Sequence, residues 1–229
     1  MARIKSIKQE IPGYSSDVEE IHKYGIVPMN RTIFLEAEAM DETGGDMGIT
    51  HNTAMRFIKN LVILQTSGEQ SQPITVIMNT VGGDVSNGFA IYDAIMHCVC
   101  PITIKVYGNC LSMGCIILQA AAHRILAENA SIMFHHGEPG CAGGSNSFES
   151  VNAALFDKEL SDRADKIVMN AINRKREKDG LSPLTYNKFQ EYNLKGKYMF
   201  PPQAIELGLA DSIITENHDC DICDHGIKI

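Results

Sequence analysis

"ITVIMNTVGGDVSNGFAIYDAIMHC", residues 74–98, passes from a strand pattern to a helix pattern through a pair of glycines. Residues 74–80 are a compact β-branched run, as a buried strand requires. From 87 to 98 the side chains of Phe89, Ile91, Tyr92, Ile95 and Met96 recur at helical spacing, roughly on one face. The same order repeats at once in "ITIKVYGNCLSMGCIILQAAA", residues 102–122, where a strand over 102–108 hands over to a helix opened by Ser112. Two successive strand–turn–helix units demand right-handed crossovers between parallel strands, and so an α/β fold.

Outward from this centre, "RTIFLEAEA" (31–39) reads as a strand and "DETGGDMG" (41–48) as a turn. Residues 49–68 read as a helix with Met55, Ile58, Leu61, Val62 and Leu64 at apolar spacing. On the other side, 123–136 reads as two short strands around a polar turn, with His123 at a helix end. A glycine-rich run (137–147) follows, then a long charged helix over 148–178 and a shorter one over 185–193. "PPQAIELGLADSII" is a helix with prolines at its start, then a terminal strand. Residues 1–30 read as an arm and 216–229 as a polar tail; no internal repeat is evident.

The 229 residues suit one domain with appendages, and 44% hydrophobic content is ordinary for a globular chain. A net charge of −8 without a basic block argues against nucleic acid as the main partner. No apolar run is long enough to span a bilayer and the start lacks a signal-peptide core, so a soluble, cytoplasmic protein is expected. The seven cysteines are Cys98, Cys100, Cys110, Cys115, Cys141, Cys220 and Cys223. The odd number, and the place of four of them in or beside core elements, favour reduced thiols.

Ser112 raises the chemical question: a hydroxyl at a helix start either caps or attacks. An attacking serine needs a base, oxyanion donors and a substrate pocket. Gly82 and Gly83 follow one strand of the sheet, Ser112 the next, so both turns can open at the sheet edge where α/β proteins bind ligands. There the backbone N–H groups of a glycine turn and of Met113 can point at developing negative charge. Histidine suits the base. Of the eight histidines, His135 and His136 stand apart because they end the apolar strand "SIMF". Period-two alternation lets only one of them share a face with Met133.

"MNTVGGDVSNGFAIYDAI", "GNCLSMG", "SIMFHH" and "QAIELGLADSI" occur here in the order and spacing of the Clp protease proteolytic subunit, and the resemblance covers about residues 18 to 215. It implies the spiral of ββα units shared with crotonases, carrying a protruding handle over about 137–178, with the peptidase domain at 31–215 and an axial-loop region at 1–30. It implies Ser112 as nucleophile, His135 as base, and Gly83 and Met113 as oxyanion donors, with neither metal nor cofactor. It further implies self-assembly into stacked, heptameric rings, a tetradecamer, fed with unfolded polypeptide by a separate AAA+ unfoldase. The chain itself has no phosphate loop of the G-x-x-x-x-G-K-[ST] type.

The departures from that pattern are informative. Thr80-Val81 replaces Ser-Pro before the glycines, Cys110-Leu111 replaces Ala-Ala before the serine, and His136-Gly137 replaces Gln-Pro. The family's third catalytic residue, an aspartate, falls at Gly196, and no aspartate lies between Asp179 and Asp211. Asn193 and Glu191 are the nearest side chains able to accept a hydrogen bond from a histidine. Two other readings stand beside the serine endopeptidase: a catalytically weak or inactive ring-forming subunit, and a crotonase-type acyl-CoA enzyme. The tail pair Cys220/Cys223, flanked by His218 and His225, has the spacing of half a zinc site, but a disordered tail with reduced thiols is the preferred reading and intersubunit metal binding the alternative.

Overall fold

The computed structural model describes residues 17–36, 48–68, 72–137 and 147–214. The turn over 41–47, most of the glycine-rich run and the tail with its Cys220/Cys223 pair lie outside them. The elements are α1 (Asp17–Tyr24), β1 (Ile26–Val27), β2 (Thr32–Leu35), α2 (His51–Thr66), β3 (Ile74–Thr80), α3 (Val85–Met96), β4 (Ile102–Leu111) and α4 (Met113–Leu118). They continue with β5 (His123–Leu126), β6 (Ser131–Met133), α5 (Ser147–Lys178), α6 (Tyr186–Asn193), α7 (Pro201–Leu207) and β7 (Ser212–Ile213).

One central sheet runs in the order β1-β2-β3-β4-β5-β7, with β6 paired to β4 off this path. All pairs are parallel except β1 with β2. This is the α/β architecture that the strand–turn–helix repeats predict. The central strands bury Ile74, Val76, Met78, Ile104 and Val106 completely. Each such side chain removed from water contributes roughly 1.5–3 kcal/mol before entropy is counted.

The strand β4 changes partners along its length. Its first half, Thr103–Val106, pairs with β5, and its last residues, Asn109–Leu111, pair with β6. A bulge separates the halves: Met78 faces Val106 but Thr80 faces Cys110, so β4 carries two extra residues. Gly108 turns the chain there at φ +85°, and the Asn79 side chain accepts the Asn109 N–H at 2.9 Å. The bulge bends β4 so that its end, where Ser112 follows, lies beside β6.

Two stretches fold differently from their sequence pattern. Residues 17–27, inside the expected arm, form α1 and β1, and β1 extends the sheet by pairing antiparallel with β2. His123 opens β5 rather than closing a helix, because α4 already ends at Leu118. In α2 the buried face is Thr53, Ala54, Phe57, Asn60, Leu61 and Leu64. Met55 and Val62 point outward instead; the helix has a second apolar stripe that the chain alone leaves exposed.

The long helix α5 buries its apolar side chains toward its C-terminal half, at Val168, Ala171 and Ile172. Its first turns expose Phe148, Val151, Leu155 and Phe156, Phe148 by 82%. The C-terminal strand is tied down by Arg124, whose guanidinium takes the Asp211 carboxylate in a two-pronged bond and also donates to Gln119 and to the Gly208 carbonyl. Burial pushes the Asp211 carboxyl up, but the Arg124 hydrogen bonds and charge outweigh it and hold the carboxyl below its usual range. No helix among the described residues is long and apolar enough to cross a membrane.

Candidate active site

Three parallel strands end at one edge of the sheet: β3, β4 and β6. Each delivers one part of a cluster. After β3 come Gly82 and Gly83; after β4 comes Ser112; two residues after β6 comes His135.

Ser112 occupies the sharp turn between β4 and α4 with φ 52° and ψ −121°. Side-chain-bearing residues rarely adopt such a backbone, and the strain costs on the order of 1–3 kcal/mol. Its surroundings hold it there. Its N–H donates to the Met133 carbonyl at 2.8 Å, and every residue of α4 after it is buried. The hydroxyl makes no capping bond to its own helix; it lies 2.9 Å from His135 Nε2.

The glycine turn packs directly against this serine. A Cβ on Gly82, where φ is +101°, would stand 2.6 Å from Ser112 Cβ and 3.1 Å from the Met113 nitrogen, so no larger residue fits. The turn is pinned from the far side by Ile49, whose N–H donates to the Gly82 carbonyl and whose carbonyl accepts from Asp84. Thr80 Oγ1 takes the Gly82 N–H at 3.1 Å. These bonds pass over the N–H of Gly83. The N–H of Met113 opens α4 and has no acceptor within its own helix. Asp84 completes the arrangement by capping α3 through the Asn87 N–H at 2.8 Å.

His135 is fixed at both ring nitrogens. Nδ1 lies 2.9 Å from the carbonyl oxygen of His136. A carbonyl can only accept, so Nδ1 carries the proton and the lone pair sits on Nε2, facing Ser112. The preceding Phe134 is buried and stacks on Phe189 of α6 with ring centroids 5.3 Å apart, which anchors the segment leading to the histidine.

The loop after α6 runs past the same ring. Gly196 has φ +51°, and a Cβ there would lie 3.6 Å from His135 Cβ. The position expected to carry an acid is therefore adjacent to the histidine but has no side chain. Neither proposed substitute reaches the ring nitrogen. Glu191 is 57% exposed on its side chain and bonds Lys188 at 2.8 Å, while the Asn193 amide donates to Asp165 at 2.8 Å. Two further residues join the cluster: His136, which the strand pattern singles out beside His135 and whose Nδ1 bonds Asp165 Oδ2 at 2.9 Å, and Asp165 itself, from the middle of α5. A charged residue in a charged helix gives no sequence signal; only the fold brings it here.

Cys110 and Cys115 flank the serine but are not rival nucleophiles. Burial pushes the Cys115 thiol up to about 12, and burial with the neighbouring Cys115 raises Cys110 well above its ordinary value.

The cluster thus offers a hydroxyl on a strained turn, an imidazole with its free nitrogen 2.9 Å from that hydroxyl, and the backbone N–H groups of Gly83 and Met113 in the adjoining turns. A model of the Clp protease family matches residues 19–217, a span that contains every part of the cluster and every strand of the sheet. The chain therefore belongs to the Clp protease family, a family of peptidases.

Proposed function

We propose that the chain is a serine endopeptidase in which Ser112 attacks the peptide carbonyl, His135 is the base, and the N–H groups of Gly83 and Met113 receive the oxyanion. The 2.9 Å separation of Ser112 Oγ and His135 Nε2 carries this reading. As Oγ bonds to the carbonyl carbon, its proton passes to Nε2, and the carbonyl electrons move onto oxygen beside the two N–H groups. The imidazolium then protonates the departing amine, and water repeats the cycle on the acyl-enzyme.

Among the described residues, no carboxylate faces the His135 ring nitrogen. In serine proteases, exchanging the triad acid for its amide costs roughly four orders of magnitude, chiefly through the wrong tautomer. Here the His136 carbonyl enforces the right tautomer. What is missing is the charge that stabilises the imidazolium, so the deficit is smaller than that.

Assembly into stacked rings served by a separate unfoldase fits the same reading. The exposed apolar turns at the start of α5 support it, since Phe148, Val151, Leu155 and Phe156 lack cover in the isolated chain. The full chain should scatter light as a particle many times its 25.2 kDa mass.

The test is hydrolysis of short fluorogenic peptides, which need no unfoldase. Wild type should turn them over, and Ser112→Ala should lose at least about 10³-fold while keeping the assembled mass. The Gly196 substitution motivates a second reading, a ring member that has lost most of its activity. A wild-type chain that assembles but leaves peptides intact would favour that reading.

A further inference from the structure

We infer that Asp165 and His136 form a positioning pair for His135, and so do part of the work of the absent carboxylate at one peptide's remove. The inference rests on the serine–histidine reading above and extends it to residues that touch neither substrate nor the reacting atoms.

The His136 peptide is held on three sides. Its N–H donates to the Asn193 carbonyl at 3.2 Å, its side chain donates through Nδ1 to Asp165 Oδ2 at 2.9 Å, and its carbonyl accepts the His135 Nδ1–H at 2.9 Å. The last bond fixes the base tautomer, so its direction depends on the first two. Asp165 comes from the half of α5 that packs on the core, and its side chain is only 13% exposed. A carboxylate there is a firm anchor: it accepts from His136 and, on the same oxygen, from the Asn193 amide at 2.8 Å.

The Asn193 side chain shows what this anchor costs. Asn193 is 1% exposed, and its Oδ1 has no partner among the described residues. A buried acceptor left unpaired is unfavourable by about 1–3 kcal/mol. The amide accepts that cost in order to turn its nitrogen toward Asp165, which can only accept. Because the Asn193 carbonyl also takes the Gly196 N–H at 3.3 Å, the same anchor holds the loop that passes the His135 ring. One carboxylate therefore fixes both the peptide behind the base and the loop beside it.

The experiment uses the full-length chain, a fluorogenic peptide and a fluorophosphonate probe, with melting temperature and light scattering run alongside. Asp165→Ala and His136→Phe should each lower kcat about 10- to 100-fold, with KM within about twofold, because a misaligned base affects the transition state alone. The double variant should be no slower than the worse single by more than about threefold, since both changes cut one tether. His136→Asn, whose amide nitrogen takes the place of Nδ1, should stay within about threefold of wild type. Wild-type kcat in Asp165→Ala, multiplying losses in the double variant, or His136→Asn as slow as His136→Phe would each overturn the inference. Should Asp165→Ala fail to assemble, the contrast between His136→Asn and His136→Phe decides alone. Failure of the underlying reading has a different signature: the wild-type chain itself would take up no probe at Ser112, whereas failure of the positioning pair leaves wild-type labelling intact and shows only among the variants.

Discussion

Gly196→Asp should make the enzyme faster. A Cβ at this position meets His135 Cβ at 3.6 Å and Met133 Sδ at 3.8 Å, both ordinary contacts, so the side chain has room. The backbone is the obstacle: at φ +51° a side-chain-bearing residue is strained by about 1 kcal/mol, aspartate less than most. That loss lowers the melting temperature by roughly 2–4 °C for a chain of this size. Against it stands the attraction of a carboxylate for the imidazolium that forms in the transition state. Two unit charges 4 Å apart at an effective dielectric of about 20 attract by about 4 kcal/mol. Desolvating the carboxylate and loosening the bond to the His136 carbonyl offset part of this. A net 1.4–2.8 kcal/mol remains as an order of magnitude, or about 10- to 100-fold in kcat. The charge appears only after proton transfer, so KM should stay within about twofold. Steady-state hydrolysis of a short peptide, with a thermal melt and light scattering on the same preparation, measures all three quantities. A Gly196→Asp chain that folds, assembles and shows no rise in kcat would refute the argument that the ring lacks only a charge.

Other perturbations separate the parts of the account. Glu191→Ala should leave kcat within about twofold of wild type, because Glu191 is engaged with Lys188 rather than with the histidine; peptide kinetics check it. Gly82→Ala should abolish probe uptake and lower kcat by more than about 100-fold, since the new methyl group lands 2.6 Å from Ser112 Cβ and must displace it. Asp211→Asn should destabilise the fold by about 2–3 kcal/mol at neutral pH by leaving the buried Arg124 without its counter-charge. The native carboxyl is held below its ordinary range, so its contribution is complete above the unfolded value of about 4 and is lost as pH falls through the lower native value. The gap in melting temperature between wild type and Asp211→Asn should accordingly close on acidification below about pH 4, as scanning calorimetry across pH would show.

Much of the sheet was legible because its central strands open on compact β-branched runs that lead into glycines. Residues 74–80 form a strand as their pattern predicts, and the helix after them begins two residues earlier than its apolar spacing suggests because Asp84 supplies the cap. The end of β4 was less so: "GNCL" reads as a turn but continues as strand, since the bulge at Gly108 and pairing with β6 are tertiary events. The α2 stripe misled for a physical reason. Met55 and Val62 are apolar yet exposed, and spacing alone cannot tell a face that meets the core from one left at the surface. At the site, Ser112, His135 and Gly196 lie in recognisable local patterns, and the fold places them together. His136 ends the same strand pattern as His135, but its link to Asp165 has no local signature, because it spans 29 residues and a helix–loop contact.

The most direct test of the central claim is the site of covalent modification. The full-length chain is incubated with a fluorophosphonate, digested, and mapped by mass spectrometry. A single adduct on Ser112 is expected, absent in Ser112→Ala and formed at least about 100-fold more slowly in His135→Ala, where no base accepts the hydroxyl proton. An unmodified Ser112 in an assembled wild-type chain, or labelling of equal speed in His135→Ala, would contradict it.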